Sequence, residues 1–476
     1  MLSRIVRHEW RSLWADATTL VVAAGFGLAI AYGVANGAGW VRFQQTALSA
    51  AAEEEAQRHA SLQARIDDLE RTGESISAFQ DPRSASNAGG RLAPRYATLP
   101  PGALAPLAVG QSDLLPYYFK VSTDAREAIV SATEVENPQR LLAGRFDLAF
   151  VLIYFYPILI LALSYNMLSA EQEQGTLSLA LSQPVGLATL AAGKILLRGG
   201  LLLAVVVGCT LAALVVGGVD LGAAGAWPRL LLWVGAVVAY GAFWFAVALL
   251  VAARGATSAS NAVVLASTWL VLVVVLPALF NLMATAFYPV PSRVEMVQAV
   301  RVASDETSSE GSTLLARYYE DHPELATGDA DQAMRDFNVV RVAVNEEIER
   351  RVRPVVERYE VQIARQQGLM DLLRFVSPAV LMQSALYDVA GTGTARHRWF
   401  LAQVDRFHRG WREYFTPDPC PHTGAGLRRP ATLRLHGGVD GQPRRAGPGE
   451  PAGLAVAAIA IAWLATRRLA RFPVVA

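Results

Sequence analysis

Few residues of this sequence stand at the spacings that catalytic motifs need. A phosphate-binding P-loop ends in lysine followed by serine or threonine. Gly193 and Lys194 come nearest, but Ile195 takes the position of the hydroxyl residue. A zinc-hydrolase helix needs a second histidine four residues after the first, and the sequence after His8 lacks it. We therefore predict that this chain is not an enzyme and does not hydrolyse ATP itself.

The cysteines indicate neither a disulfide framework nor a metal centre. The sequence has two, Cys209 and Cys420, and Cys420 has only His422 nearby as a second metal ligand. No GxSxG motif is present, and Ser164, Asn166 and Asn281 are too few for an intramembrane hydrolase. We expect no catalytic residue, no metal site and no cofactor bound to this chain.

One polar segment between two apolar runs is more informative. Gly175 allows a sharp turn, and Thr176 is a suitable N-cap for a short helix. The residues of this segment that we single out are Glu171, Glu173, Gly175, Thr176, Leu177, Leu179, Leu181 and Pro184. The pattern predicts a short amphipathic helix on the membrane surface, ended by the proline, within 171–184. An ordinary loop is the alternative.

The composition is typical of a membrane protein. Of the 476 residues, 53% are hydrophobic and 17% are charged, whereas soluble domains have about 45–50% apolar and about 25% charged residues. The net charge of +1 creates no strong field that would favour nucleic acid, so we predict no nucleic-acid partner.

Six apolar runs are candidates for transmembrane helices. They lie between Asp16 and Arg42, between Asp147 and Glu171, from Arg198 to Asp220, between Arg229 and Arg254, from Arg254 to Pro291, and between Glu450 and Arg467. A cleavable signal peptide is the alternative for the first run. The sequence thus predicts an all-α polytopic membrane protein with six transmembrane helices and two largely helical extracytoplasmic segments.

Basic residues near the ends of the runs predict the orientation. Arg4, Arg7, Arg11, Lys194, Arg198, Arg254, Arg467, Arg468 and Arg471 gather on one side, which is the cytoplasmic side by the positive-inside rule. The predicted parts are 1–16 as a cytoplasmic helix, 17–41 as transmembrane helix 1, 42–147 outside, 148–284 as transmembrane helices 2–5, 285–450 outside, and 451–476 as transmembrane helix 6 with a tail. Both termini are then cytoplasmic, and the lipid bilayer is the first partner.

The two outside segments differ in pattern. The first opens with an amphipathic helix from Gln44 to about Arg71 and continues through a proline- and glycine-rich part. In the second, Met334–Ala364 predicts one or two long helices with a break near Pro354. The composition of residues 417–450 predicts disorder. The alternative is a compensated reading-frame error in the gene, which would be excluded if resequencing found this frame intact. A solvated cap and a substrate- or partner-binding domain both remain open.

The segment at 171–184 resembles the hallmark of type-2 ABC exporter permeases. The resemblance rests on Glu171-x-Glu173-x-Gly175-Thr176-Leu177 with Pro184 seven residues later, placed after the second apolar run. Arg7, Glu9, Trp10 and Arg11 are similarly like the elbow helix that precedes the first span in that family. The two large outside segments resemble a branch related to the permease used in nitrous-oxide reductase maturation.

The resemblance implies the permease subunit of an exporter in the bacterial inner membrane, and a separate ABC ATPase that carries the ATP and Mg²⁺. In the implied coupling helix, Glu171 and Glu173 pair with the ATPase, Gly175 and Thr176 shape the turn, and Leu177 and Leu181 bury against the ATPase. A second copy or a related permease completes the pathway.

Two other functions compete with transport. In mechanotransmission, the ATPase moves the outside helices against an extracytoplasmic partner and nothing crosses the membrane. A membrane-anchored sensor is the other, although the cytoplasmic loops are short for an output domain. The sequence does not identify a substrate, and no Met/His/Cys cluster outside supports copper delivery.

Overall fold

A computed structural model shows that the chain is mainly helical. The described residues are 7, 9–11, 17–74, 81–83, 87–124, 126, 146–183, 186–216, 219, 222, 225–290, 293–310, 313, 332–415 and 449–469. Within them, the β-structure is one antiparallel pair of strands, β1 (Arg95–Thr98) and β2 (Tyr118–Val121), with Arg95 opposite Val121. The predicted all-α class is confirmed.

The described helices follow one another with short connections through most of the membrane part. In chain order they are α1 (Ala17–Thr72), α2 (Leu148–Glu173), α3 (Thr176–Leu181), α4 (Leu187–Val216), α5 (Ala226–Ala252), α6 (Ser258–Phe287), α7 (Arg293–Ser309), α8 (Gln332–Leu373), α9 (Pro378–Ala390), α10 (Thr394–Phe415) and α11 (Gly449–Leu469). A π-helical turn, Ala88–Leu92, and a 3₁₀ turn, Ala105–Leu107, flank β1.

Six of these helices, α1, α2, α4, α5, α6 and α11, are long and apolar enough to cross a membrane. This confirms the predicted polytopic membrane fold. The third predicted transmembrane helix is α4, which begins at Leu187 rather than after Arg198, so two basic residues lie inside it. The first predicted transmembrane helix, α1, continues without interruption into the predicted amphipathic helix and ends only at Thr72.

The core of the bundle lies around α2 and α5. In the most apolar part of α5, 72% of the residues are buried inside the chain, against 17% for α6. Trp233, Tyr240 and Trp244 of α5 are fully buried. The helix α5 packs mainly against α11, and also against α2 and α9. The bundle is therefore organised around α5, while much of the apolar surface of α6 faces away from the chain.

Prolines interrupt two of the long helices, and neighbouring side chains use the backbone oxygens there. π-Helical turns, Val151–Phe155 and Leu270–Val275, precede Pro157 and Pro277. A proline at position 157 cannot donate to the carbonyl of Ile153; the Tyr240 hydroxyl donates to that oxygen instead, at 2.9 Å. Such replacement hydrogen bonds make prolines tolerable in membrane helices.

The helix α9 packs into the bundle, although it belongs to the segment expected outside. The chain bends by 116° between α8 and α9, and Leu381, Met382 and Leu386 join the core formed by α2 and α5. The Ser377 hydroxyl donates to the Leu272 carbonyl at 2.8 Å. Because α9 has 13 residues, it is too short to be recognised as a span of about 20 residues.

A cap lies at one end of the bundle. It consists of residues 42–72 of α1, residues 87–124 and the helices α8 and α10. The amide of Tyr96 donates to the Glu55 carboxylate of α1 at 2.8 Å, and the indole of Trp411 donates to the Gly89 carbonyl at 2.8 Å. In contrast to the predicted break, α8 runs through Pro354 as one helix. The cap thus joins both sequence segments into one structure.

Several predicted features fall outside the described residues. These are the elbow residues other than Arg7, Glu9, Trp10 and Arg11, the proline Pro184, the tail after Leu469, and residues 416–448 of the segment predicted to be disordered. The last two residues of that segment, Gly449 and Glu450, are helical and begin α11.

Candidate functional site

The segment at 171–184 lies at the end of the bundle opposite the cap, here called the Lys194 end. The helix α2 finishes with the turn Ser169–Glu173, and Gly175 follows in a left-handed conformation with φ of +70°. That φ favours glycine, because a Cβ would clash with the following carbonyl oxygen. The expected N-cap at Thr176 is replaced by Gly175, and the Thr176 hydroxyl donates to the Glu171 carbonyl at 3.3 Å.

The carboxylate of Glu171 forms an ion pair inside the chain. Its Oε1 lies 2.8 Å from Nζ of Lys194 in α4, and Lys194 is only 4% exposed. The ammonium group also donates to the Met167 carbonyl at 2.8 Å. A buried lysine needs such partners, because an unpaired charge in an apolar interior costs several kcal/mol.

The described elbow residues reach the same cluster through Glu9. One carboxylate oxygen of Glu9 lies 3.1 Å from Arg198, and the other lies 3.7 Å from Lys194. Arg198 also donates to the carbonyl of Leu163 in α2. Two acids and two bases, named here the four-charge cluster (Glu9, Glu171, Lys194 and Arg198), therefore neutralise each other. The cluster connects the elbow, α2 and α4, while Arg7 and Arg11 are exposed and Trp10 is 44% exposed.

The second acid of the motif, Glu173, binds the start of α6. Its two oxygens accept hydrogen bonds from the amide of Ser258 at 2.6 Å and from the Ser258 hydroxyl at 3.0 Å. The Ser258 hydroxyl also lies 2.8 Å from that of Ser169. A carboxylate in this position satisfies an unpaired helix amide and interacts favourably with the positive end of the helix dipole.

The two faces of α3 have different surroundings, because one packs against the bundle and the other is exposed. Leu177 is only 2% exposed and packs with Met167, Leu190 and Leu469, and Leu181 packs partly buried against the same cluster. The resemblance implies that Leu177 is buried against an ATPase, whereas here it is buried within the bundle. Residues four apart share a helix face, so Leu177 and Leu181 both face the bundle. Leu179 faces away and is 71% exposed.

Sequence reasoning identified Glu9, Glu171, Glu173, Gly175, Thr176, Leu177 and Leu181, and the structure brings them together at the Lys194 end. It did not predict that Lys194, Arg198 and Ser258 are their partners, and it did not assign Leu179 to the outward face of α3. A signal was present for Lys194, because it is one of two lysines in the sequence and follows the motif closely. Ser258 gave no signal, because it lies 85 residues from Glu173.

The charged side chains of the Lys194 end join several helices to one another. Within the described residues, no three His, Cys, Asp or Glu side chains are grouped so that they could hold a metal ion. Each charged side chain of the site pairs with another or with a backbone group, and together they connect the elbow, α2, α4 and α6. The arrangement is suited to transmit a displacement of α3 to several long helices.

Comparison with known proteins identifies one domain. Residues 293–427 match a domain of unknown function, DUF3526. The matched part is a little over a quarter of the chain and contains α7, α8, α9 and α10. It therefore covers much of the cap and the inserted helix, and it does not include the Lys194 end. No curated protein matches the chain.

Proposed function

We propose that this protein is the membrane-spanning subunit of an ABC transporter, driven by a separate ATPase that docks on α3. The proposal joins the resemblance of the motif at 171–184 to the packing of that motif in the bundle. The Lys194 end is then cytoplasmic, and the cap lies on the other side of the membrane. ATP and Mg²⁺ are bound by the partner, and a second permease subunit completes the pathway.

The observation that supports this proposal best is the connection of one short helix to five longer ones. Through the Gly175 turn, α3 follows directly from α2, which the four-charge cluster holds to α4. Glu173 holds the start of α6, and Leu177 packs with residues of α5 and α11. A force applied to α3 would therefore reach α2, α4, α5, α6 and α11.

The structure changes the roles that we propose for the motif residues. Glu171 and Glu173 are engaged within the chain, so we assign them to holding α3 against the bundle. The outward face of α3, with Leu179, is the surface that we assign to the ATPase. An exposed leucine can bury its apolar surface in a pocket on a partner, and this burial favours binding.

One observation favours mechanotransmission as the second candidate. The helix α1 is continuous over 56 residues, which corresponds to about 84 Å, and it runs from the bundle into the cap. A rigid rod of this kind could carry movement to the cap without any transported substrate. Both candidates need the ATPase at α3, so docking is the first step to test.

Docking is tested by Leu179→Asp in the full-length protein, purified in lipid nanodiscs and mixed with a candidate ABC ATPase subunit. We expect at least tenfold weaker binding of the ATPase, because a buried leucine contributes about 1.5–3 kcal/mol and its replacement places a charge in the contact. Binding and the rate of ATP hydrolysis are measured together.

Val361→Asp is the matched control for this experiment. It makes the same apolar-to-acid change at an exposed position of α8, in the cap. The control should bind the ATPase as the wild type does. If Leu179→Asp also binds and stimulates the ATPase like the wild type, α3 is not the docking surface and the sensor interpretation gains support.

A further inference from the structure

A charged cleft lies in the cap between α8 and α10, far from the Lys194 end. It has a volume of about 360 Å³ and is lined by Arg126, Glu349, Arg353, Val356, Asp405, His408, Arg409 and Arg412. That volume lies within the range of small-molecule sites. All lining residues except Arg126 belong to the matched domain.

The spacing of these residues shows that two helix faces form the cleft. Positions 349, 353 and 356 share one face of α8, and positions 405, 408, 409 and 412 share one face of α10. Six of the seven side chains on these two faces are polar or charged. Because surfaces between packed helices are ordinarily apolar, this composition is not explained by packing between α8 and α10.

Ion pairs hold the cleft in shape. Arg412 of α10 lies 2.6 Å from Glu349 of α8. Arg126, from the first segment, lies 2.6 Å from Asp405 and 3.5 Å from Glu360. These pairs join three parts of the chain, so the walls of the cleft have a defined separation. Preorganised walls reduce the entropy cost of binding a ligand.

Two arginines of the cleft have no such pair. Within the part of the chain that the structure describes, no carboxylate lies at ion-pair distance from Arg353 or Arg409, and both side chains are exposed. The four lining arginines and two lining carboxylates give the cleft a charge of +2. His408 adds no charge at neutral pH, because burial lowers its pKa, and its Nε2 is engaged with the Asp124 carbonyl at 2.8 Å.

We infer that this cleft binds a phosphate monoester, with Arg353 and Arg409 as the groups that contact the phosphate oxygens. Arginine forks match phosphate geometry with two parallel hydrogen bonds. A phosphate monoester carries a charge of about −1.5 to −2 at pH 7, which balances the charge of the lining residues. The phosphate belongs either to a small soluble molecule or to a lipid headgroup.

The test uses the full-length protein in phosphatidylcholine nanodiscs, at constant ionic strength. One arm titrates glycerol 3-phosphate by calorimetry. The other arm measures thermal unfolding in nanodiscs that contain phosphatidic acid, whose headgroup is a phosphate monoester. A soluble ligand predicts saturable binding in the first arm, and a lipid ligand predicts stabilisation in the second arm alone.

The deciding variant is Arg353→Gln with Arg409→Gln, which removes both unpaired charges with little change in size. We expect the affinity for glycerol 3-phosphate to fall at least tenfold, or the stabilisation by phosphatidic acid to be largely lost, because the variant removes the charge-assisted hydrogen bonds to the phosphate. The control is Arg358→Gln with Arg406→Gln, which removes two arginines of the same helices that do not line the cleft.

Two results would overturn the inference. One is the absence of binding in both arms for the wild type. The other is an equal loss in the deciding and control variants, which would indicate general attraction to positive charge. Unfolding of each variant without ligand is recorded in parallel. If the double glutamine variant is itself unstable, the same comparison with the control is made with the single variants Arg353→Gln and Arg409→Gln, and the same two results decide.

Discussion

The ion pair of Lys194 with Glu171 is the residue-scale feature with the clearest consequence for stability. Lys194→Met removes the ammonium group and leaves the Glu171 carboxylate without its partner at 2.8 Å. We expect the free energy of unfolding to fall by about 3–5 kcal/mol, because breaking a buried pair leaves an uncompensated charge. Thermal and chemical unfolding of the purified protein measure the change.

The double variant Lys194→Met with Glu171→Gln checks the cause. It removes one positive and one negative charge, and Arg198 still has Glu9 at 3.1 Å. It should recover at least half of the loss. Arg71→Met breaks an exposed pair with Asp68 in the cap, and it should change stability by less than about 1 kcal/mol. If Lys194→Met and Arg71→Met lowered the free energy of unfolding equally, burial would not explain the effect of the Lys194 pair.

At the scale of single elements, α1 is the candidate connection between the two ends of the protein. Ala50 lies in its exposed part beyond the bundle. Ala50→Pro should kink α1 there, because proline removes a helix hydrogen bond and clashes with the preceding turn. If α1 transmits motion, the variant should bind the ATPase normally, and ATP should no longer change hydrogen exchange in α10.

Ala50→Ser is the control for the kink, since serine keeps the helix hydrogen bonds. It should respond to ATP as the wild type does. A normal response of the cap in Ala50→Pro would show that α1 is not the connection, and the mechanotransmission candidate would lose its main support.

At the scale of the whole molecule, stability should decrease in acid, because α10 packs in the cap around a partly buried histidine. His397 lines a small pocket with Gln44 of α1, Gly102 and Arg396, and its Nδ1 is buried without a hydrogen-bond partner. Burial lowers the pKa of His397 to about 4.

The sign of the pH dependence follows from this lowered pKa. Between about pH 6.5 and 4 the unfolded chain binds a proton at His397 and the folded chain does not. Stability from this group is therefore complete above pH 6.5 and decreases as the pH falls towards 4, by about 3 kcal/mol. His397→Gln should flatten this part of the profile of melting temperature against pH. An unchanged slope would show that another group is responsible.

The sequence determined the class of this protein and the place of its candidate site. Hydrophobic runs of about 20 residues are a local property, and they predicted the six helices. The motif around Gly175 was also local, because the turn needs a glycine and the short helix needs apolar residues at fixed spacing. The amphipathic continuation of α1 followed from the same periodicity.

Only the tertiary structure decided what these residues contact. The partners of Glu173 and Arg126 lie 85 and 279 residues away in sequence, and no local pattern encodes such distances. The packing of Leu177 within the bundle was likewise decided by the tertiary structure, because the bundle sets which face of α3 is buried. Helix α9 was hidden for a related reason: a short apolar helix enters the core only when longer helices already surround it.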